Sequence, residues 1–263
     1  MTRSRRLLPL VLAAAGCTAA LKEPPPLSTL AGGAVAEAPA GALLQEAAEE
    51  YAKRPDVAAV RRADALCLEA AQADEADVAG LLCSMRAKAW LVEHAKDAKD
   101  RTDLAVSAVH TGQWCLRRVG DSVPCKYWLA VSLGMQAREK PRTADDAIGR
   151  IVKLLREAGA ADPELDEAGP ERILALLLMR APGWPLGPGD VEEALGLARK
   201  AVAIRPNYPP NQLALGEALA KNGDRTKARA AYARALELAS AAARSGDPDA
   251  PAWGSEASAR LRE

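Results

Sequence analysis

The chain has 263 residues, and its 35 basic and 35 acidic side chains give it a formal net charge of zero at pH 7. Removal of a signal peptide with its three arginines would lower the net charge to about −3. This net charge excludes the basic surface typical of nucleic-acid binding. The chain contains no Phe. With abundant Ala and few β-branched residues as well, this composition favours helices over strands.

The first sixteen residues have the three-part pattern of a secretory signal. Three arginines precede the apolar run Leu7–Ala15, and Ala14, Ala15 and Gly16 supply small side chains directly before Cys17. The run is too short to span a bilayer, which takes roughly 20 apolar residues. The pattern therefore predicts an exported chain whose N-terminal segment is removed.

The Ala-Ala-Gly-Cys sequence that ends at Cys17 resembles the lipobox of bacterial lipoproteins, with Ala14 where the family usually has Leu. This resemblance implies cleavage before Cys17 and acylation of that cysteine, so that the lipid bilayer holds the protein through acyl chains. Thr18, rather than Asp, follows the cysteine and favours the outer membrane, facing the periplasm. An ordinary signal peptide with a chance cysteine is the alternative.

The segment that follows is rich in Ala, Pro, Gly and Ser, with Pro24-Pro25-Pro26 and Gly32-Gly33. It lacks the apolar periodicity needed to pack, and we expect a tether that is stiff at the prolines and flexible beyond them. We therefore divide the chain into a signal peptide at 1–16, a lipidated N-terminus and tether at 17–40, and an all-helical domain at 41–263.

Apolar periodicity indicates helices from near Gly41 to the end of the chain, separated by Pro, Gly and Asp, and no segment alternates as a strand does. The predicted helices cover about 41–53, 57–73, 77–97, 102–119, 125–139, 143–159, 169–180, 190–204, 209–221, 225–243 and 252–262.

Four cysteines follow Cys17, and an even number in an exported protein indicates disulfides. Cys67 and Cys83 are equidistant from a predicted turn at residue 75, and Cys115 and Cys125 are equidistant from one at residue 120. Residues equidistant from the turn of an antiparallel hairpin lie at the same height, which predicts the pairs Cys67–Cys83 and Cys115–Cys125. Four buried free thiols are the alternative, and the absence of a Cys-x-x-Cys pair makes zinc a poorer interpretation.

The two histidines show a similar symmetry, since His94 and His110, like Trp90 and Trp114, are equidistant from residue 102. His and Trp are four residues apart within each predicted helix and share a face. One hypothesis is a His/Trp cluster that lines a ligand or metal site. The other, which we favour, is aromatic packing with two hydrogen-bonded imidazoles.

The C-terminal part repeats itself with an offset of 34 residues, because Ala194, Ala198, Ala201 and Ile204 recur as Ala228, Tyr232, Ala235 and Leu238. This pattern resembles the tetratricopeptide repeat, with its clearest copies at 175–208 and 209–242. The resemblance implies stacked helical hairpins in which small residues let the helices approach closely, Tyr232 fills the space toward the next unit and Gly223 makes a turn.

A Pro/Gly-rich spacer, residues 181–190, interrupts the first repeat and contains Trp184. Its glycines and prolines predict a rigid bulge. We expect Trp184 to tuck onto the repeat core; the alternative is that it projects as an anchor for a partner, since Trp is enriched at interfaces.

A further resemblance is to periplasmic tetratricopeptide lipoproteins of the TatT type, an accessory component beside some TRAP-type transporters, and covers about 45–262. It rests on Tyr127-Trp128-Leu129-Ala130-Val131-Ser132-Leu133-Gly134, Arg172-Ile173-Leu174, Ala181-Pro182-Gly183-Trp184-Pro185 leading to Gly189-Asp190, Asn211-Gln212-Leu213-Ala214-Leu215 and Glu217-Ala218-Leu219. It implies a helical scaffold with a groove or cavity, oligomeric in some cases, that handles a small ligand with a periplasmic partner.

No phosphate-binding loop, zinc-protease motif or nucleophile elbow is present in the sequence, and we expect neither catalysis nor a cofactor or metal. The sequence thus predicts an all-α, tetratricopeptide-like α-solenoid that acts as a membrane-anchored periplasmic scaffold and recognises a protein through its concave surface. Alternatives are a TatT-like component that handles a small hydrophobic ligand, and a hydrolase on a helical scaffold. Candidate contact residues are Trp90, His94, His110, Trp114, Trp128 and Trp184.

Overall fold

The structure is a computed structural model that describes residues 21–33 and 38–263, so Cys17 and the signal-like segment lie outside the described residues. Within that part of the chain none of the helices is long and apolar enough to cross a bilayer. The helices are α1 Leu27–Leu30, α2 Ala40–Ala52, α3 Val57–Ala73, α4 Ala79–His94, α5 Ala98–Arg118, α6 Val123–Glu139, α7 Ala144–Ala161, α8 Leu165–Arg180, α9 Val191–Ile204, α10 Pro209–Lys221, α11 Arg225–Arg244 and α12 Ala250–Arg262.

Short polar side chains begin several of these helices. The side chains of Asp56, Asp97, Ser122, Asp190 and Asp224 each accept a hydrogen bond from a backbone N–H two or three residues further on. These N-caps satisfy donors that have no partner within the helix, and each is worth about 1 kcal/mol.

Antiparallel hairpins α2–α3, α4–α5, α6–α7, α8–α9 and α10–α11 stack in chain order, and α12 packs on the last hairpin. Each of the first helices, α2, α4, α6, α8, α10 and α12, contacts the next one in this series, whereas α3, α5, α7, α9 and α11 do not contact one another in the described part. The stack therefore curves with the first helices on its inside. We call the surface they form the inner face.

Small residues carry the close packing of the repeats. Ala194, Ala198 and Ala201 of α9 are buried, as are Ala228 and Ala235 of α11. A Cβ added at Gly216 would overlap the ring of Tyr232, so glycine is needed where α10 meets α11. Gly223 has a φ of +86°, which glycine adopts without strain at the turn between these helices. The predicted roles of Gly223 and of the alanines are confirmed.

Both predicted disulfides are present, Cys67–Cys83 between α3 and α4 and Cys115–Cys125 between α5 and α6, each with a Cα–Cα distance of 5.6 Å. The turns between these helices centre close to residues 76 and 120, where the spacing argument placed them.

The segment predicted to be an unpacked tether differs from that expectation. Residues 22–27 lie against α5, where the Trp114 Nε1–H donates to the Pro25 carbonyl at 2.9 Å and Pro24 is buried. A polyproline segment packs without apolar periodicity, because its carbonyls all remain available as acceptors.

Candidate functional site on the inner face

Two clusters of aromatic and charged side chains occupy the inner face. The first, which we call the clasp cluster, consists of Tyr51, Arg54, Arg86, Trp90 and Asp249. Asp249 Oδ1 accepts hydrogen bonds from Arg54 Nε at 3.2 Å and from Trp90 Nε1 at 3.1 Å. Because Arg54 and Asp249 are 195 residues apart, these bonds join the first hairpin to the start of α12.

Two guanidinium groups of the clasp cluster lie over the Tyr51 ring. The Cζ atom of Arg54 is 3.7 Å from the ring centroid and that of Arg86 is 5.3 Å away. Arg86 is exposed and has no acidic partner among the described residues. The clasp cluster therefore has a net positive charge, from two cations and one carboxylate, Asp249. This charge suits an anionic group on a binding partner.

The second cluster, the turn cluster, consists of Tyr127, Asp166, Arg172, Tyr208 and Asn211. Tyr127 donates its hydroxyl hydrogen to Asp166 Oδ2 at 2.5 Å, and Arg172 Nη2 donates to the same oxygen at 3.0 Å. Arg172 Nη1 donates to Asn211 Oδ1 at 3.1 Å. The guanidinium of Arg172 also lies 5.0 Å from the Tyr208 ring centroid.

A left-handed stretch of backbone shapes the turn cluster. Asp166, Glu167 and Ala168 have φ values of 49°, 58° and 64°, although none of them is glycine. This conformation costs such residues roughly 1–2 kcal/mol each. The carbonyl of Glu167 accepts from Arg172 Nη1 at 2.9 Å and from Asn211 Nδ2 at 3.0 Å, which holds the turn in place.

Burial keeps the tyrosines of the turn cluster protonated. It raises the pKa of Tyr127 well above 10, with a further contribution from the charge on Asp166. Burial also raises the pKa of Tyr208 to about 12. Burial opposes the charge on Arg172, but Tyr127 and Asp166 hold the pKa of Arg172 above its usual value. At neutral pH both phenols therefore keep their protons, and the Tyr127 proton is used in the hydrogen bond to Asp166.

The two clusters adjoin each other through Tyr208. The Tyr208 ring packs edge-on against Trp253 with centroids 5.4 Å apart, and the Trp253 backbone N–H donates to the Asp249 carbonyl at 3.4 Å. The Tyr208 hydroxyl makes no hydrogen bond with any described residue, so its donor is free for a ligand. Three of the four tyrosines of this aromatic-poor chain belong to the two clusters.

Ion pairs between neighbouring first helices extend this surface. Arg138 of α6 pairs with Glu93 of α4 at 2.7 Å, and Arg180 of α8 pairs with Glu217 of α10 at 2.7 Å. These pairs are exposed and each contributes little to stability. They make the inner face a surface of alternating charge around the aromatic clusters.

The four residues of the predicted His/Trp cluster do not come together. Trp90 stacks on His94 with ring centroids 3.7 Å apart, whereas Trp114 binds the N-terminal segment and His110 is a half-buried side chain whose pKa is lowered by burial. The α4–α5 turn lies at residues 95–97 and not near 102, so the presumed symmetry does not exist. Asp97, the N-cap of α5, was the sequence signal for that turn.

Trp184 does not tuck onto the core. Its exposed fraction is 89%, and that of Leu186 is 85%. The expectation that Trp184 packs on the repeat core is therefore wrong. The spacer instead closes on its own backbone, since the N–H groups of Leu186 and Gly187 both donate to the Gly183 carbonyl, at 3.0 and 3.2 Å. Trp128 is half-buried and packs edge-on against Tyr127 at 5.2 Å.

An open depression of about 340 Å³ lies elsewhere, between α9, α10 and α11. Its floor includes Leu215 and Leu219, and its rim includes Lys227 and Arg234. Two of the three cations that line it, Lys227 and Arg234, are already paired, with Asp224 and Glu237, whereas Arg199 has no ion pair among the described residues. No group of three His, Cys, Asp or Glu side chains in the described ranges could hold a metal ion. The inner face is the better candidate site, because side chains from several hairpins meet there in the clasp and turn clusters.

Comparisons with known proteins agree with this architecture. The tetratricopeptide repeat family matches residues 186–252. The chain is 19% identical to a thermophilic tetratricopeptide-repeat protein of Thermus thermophilus, with a TM-score of 0.61 over 83% of this chain and 98% of that one. It is also similar to MamA, with 16% identity and a TM-score of 0.45 over 78% of this chain and 94% of that one.

No curated protein matches the chain. The repeat match and the fold of the Thermus protein, together with the stacked hairpins, show that the described helices form an all-α solenoid of the tetratricopeptide type.

Proposed function

We propose that the protein is an exported scaffold, acylated at Cys17, that holds an envelope protein at the periplasmic side of the outer membrane. Binding is assigned to the inner face, because the clasp and turn clusters place four of the chain's nine aromatic residues there beside charged side chains. The single observation that carries the proposal is the exposed guanidinium of Arg86, which lies over the half-buried Tyr51 ring and has no acidic partner among the described residues. Arg and Tyr are among the residues enriched in binding hot spots.

The partner segment that fits this surface carries a carboxylate beside an apolar or aromatic side chain. Arg86 would pair with the carboxylate, since it has no acidic partner among the described residues. The aromatic side chain would pack beside Tyr208 and Trp253, whose rings already meet edge-on.

The test is crosslinked pull-down of the lipidated protein from envelopes, followed by mass spectrometry. Arg86→Glu should lose the specific partner, because it places a like charge opposite the carboxylate. Arg150→Glu is the matched control, since Arg150 is an exposed residue of α7 with no ion pair in the described part. Equal recovery of the partner with both variants would contradict the inner face as the binding site.

Membrane attachment has its own test. Cys17→Ala should leave the domain folded but release it from the membrane fraction, because no other anchor is proposed. A Cys17→Ala chain that still sediments with membranes would refute acylation at Cys17.

A second candidate function is the handling of a small ligand, as in the TatT type. One observation favours it: Tyr127, Arg172 and Asn211, which belong to the segments behind that resemblance, meet in the turn cluster. Native mass spectrometry of the protein purified from envelopes should then show a bound small molecule that Tyr208→Phe reduces. Recovery of a protein partner without any small molecule would favour the scaffold.

A further inference from the structure

The N-terminal segment that precedes the repeats is fastened to α5 by side-chain donors. Gln113 Nε2 donates to the Lys22 carbonyl at 2.8 Å, and Trp114 Nε1 donates to the Pro25 carbonyl at 2.9 Å. Leu27 packs in the same apolar cluster as Trp114. We call residues 22–27 the strap. Polyproline-like chains have no internal hydrogen bonds, so an aromatic surface with correctly placed donors recognises them well.

Trp114 is the main contact of the strap. The remaining ion pair, between Arg117 and Glu23, joins side chains that are 42% and 80% exposed, and such a pair contributes little. Trp114 instead combines a hydrogen bond with partial burial of its indole in the apolar cluster that includes Leu27.

The strap greatly shortens the chain between the proposed lipid anchor and the domain. Five residue steps separate Cys17 from Lys22, and a chain spans at most about 3.5 Å per step, or roughly 17 Å in all. A tether that was free as far as α2 at Ala40 would span 23 steps, or roughly 80 Å. With the strap docked, the domain cannot move far from the bilayer.

The position of the strap also selects which edge of the solenoid lies near the lipid. Its contacts are in the last turns of α5, beside the α3–α4 loop, where Arg118 Nη1 donates to the carbonyls of Asp74 and Asp77 at 3.0 and 2.9 Å. The α4–α5 loop, residues 95–97, lies at the other end of α5. Since α5 has 21 residues, the two ends are roughly 30 Å apart.

We propose that the strap orients the protein on its membrane. The end of α5 with the α3–α4 and α5–α6 loops faces the lipid headgroups, and the other end, with the α4–α5 loop, faces the aqueous compartment. This inference rests on the acylation of Cys17 proposed above. The headgroup-facing edge carries Asp74, Asp77 and Asp121, so the strap and not charge attraction holds it there, and the orientation should survive high salt.

The experiment uses the full acylated chain in vesicles of phosphatidylethanolamine and phosphatidylglycerol that contain an energy-acceptor lipid. A donor dye is attached either at Ala76→Cys, in the α3–α4 loop, or at Lys96→Cys, in the exposed α4–α5 loop at the other end of α5. We expect strong energy transfer from the first position and weak transfer from the second, at low and at high salt. Equal transfer from both positions would overturn the proposal.

Strap variants provide the decisive comparison. Trp114→Ala, and separately the triple change Pro24→Ser, Pro25→Ser, Pro26→Ser, should make transfer from the two edges similar. The triple variant leaves all repeat residues unchanged, so it remains informative if Trp114→Ala fails to fold. Trp184→Ala is the matched control and should keep the difference between the edges. Persistence of that difference in the triple variant would refute the role of the strap.

A second measurement is independent of the lipid. In a Cys17→Ala background, the docked strap should protect the bond after Lys22 from trypsin. Addition of Trp114→Ala or of the triple change should therefore make cleavage of this bond about tenfold faster. Equal cleavage rates would mean that the strap is not docked. Retention of Cys17→Ala on the vesicles would instead contradict acylation, so failure of the proposed function and failure of this inference are distinguishable.

Discussion

Arg172 joins the left-handed turn at the start of α8 to α10. It is only 6% exposed, and its guanidinium donates to the side chain of Asp166, the carbonyl of Glu167 and the amide oxygen of Asn211. A buried guanidinium is stable only if its donors are satisfied. Here the acceptors are aligned by the left-handed turn, so the residue and the turn depend on each other.

Replacement of Arg172 by Met should therefore destabilise the protein by about 3–5 kcal/mol, because Asp166, the Glu167 carbonyl and the Asn211 amide oxygen lose their partner. Tyr127→Phe should cost less, about 1.5–3 kcal/mol, since it removes one hydrogen bond to a carboxylate. Urea unfolding followed by circular dichroism measures both values. Arg150→Met, on the exposed side of α7, is the control and should change stability by less than about 0.5 kcal/mol. Similar effects for all three variants would contradict the described network.

Tyr208 predicts a dependence of stability on alkaline pH. Its pKa is about 12 in the folded protein and about 10 when unfolded, so the folded state keeps the phenol proton more tightly. The resulting stabilisation is complete below about pH 10 and is lost as the pH rises toward 12. Tyr208→Phe should reduce the loss of unfolding free energy over this range by about 2 kcal/mol. An unchanged pH profile in Tyr208→Phe would show that Tyr208 is not buried.

At the scale of single elements, the sequence predicts best where packing is local and repeated. The helices at 57–73, 209–221 and 225–243 agree with α3, α10 and α11 to within a residue, because apolar spacing and Gly223 define them. The α4–α5 turn was misplaced, since its residues Ala95, Lys96 and Asp97 include neither Gly nor Pro. Only its N-cap marks it.

The turn cluster could not be predicted, although its members were individually visible in the sequence. Tyr127, Arg172 and Asn211 lie in three different hairpins, and no helical periodicity relates them. Positive φ at Asp166, Glu167 and Ala168 has no residue signature, because left-handed backbone normally indicates glycine. Such strain is sustained only by tertiary contacts, which a sequence pattern does not contain.

Because the left-handed turn is strained, a substitution by glycine there should stabilise the protein. Glu167→Gly should stabilise the protein by up to about 1 kcal/mol, because glycine adopts a φ of 58° without steric cost. The ion pair that is lost, with Arg205 at 3.4 Å, is exposed and weak. The matched control is Glu69→Gly within α3, which should destabilise by about 1 kcal/mol. Equal destabilisation by both changes, measured by urea unfolding, would exclude a left-handed turn at Glu167.

At the scale of the whole molecule, the two ends of the stack are joined. A solenoid built from nearest-neighbour contacts has open ends, and its stability is close to a sum over units. Here Asp249, at the start of α12, bonds to Arg54 of the first hairpin and to Trp90 of the second. These bonds turn an open stack into a closed one and limit how far the inner face can open.

Asp249→Ala should therefore open the molecule. Arg54, whose side chain is only 10% exposed, would lose its carboxylate, which leaves a desolvated charge at a cost of about 1–3 kcal/mol. Each 1.4 kcal/mol shifts a conformational equilibrium about tenfold, so the open form should become readily detectable. We expect a larger radius of gyration in small-angle X-ray scattering and faster hydrogen exchange in α2 and α12. Asp247→Ala, which removes only a local bond to the Asp249 N–H at 2.9 Å, is the control. If Asp249→Ala scatters like the control, the ends of the stack are held by packing alone, and the clasp cluster serves binding rather than closure.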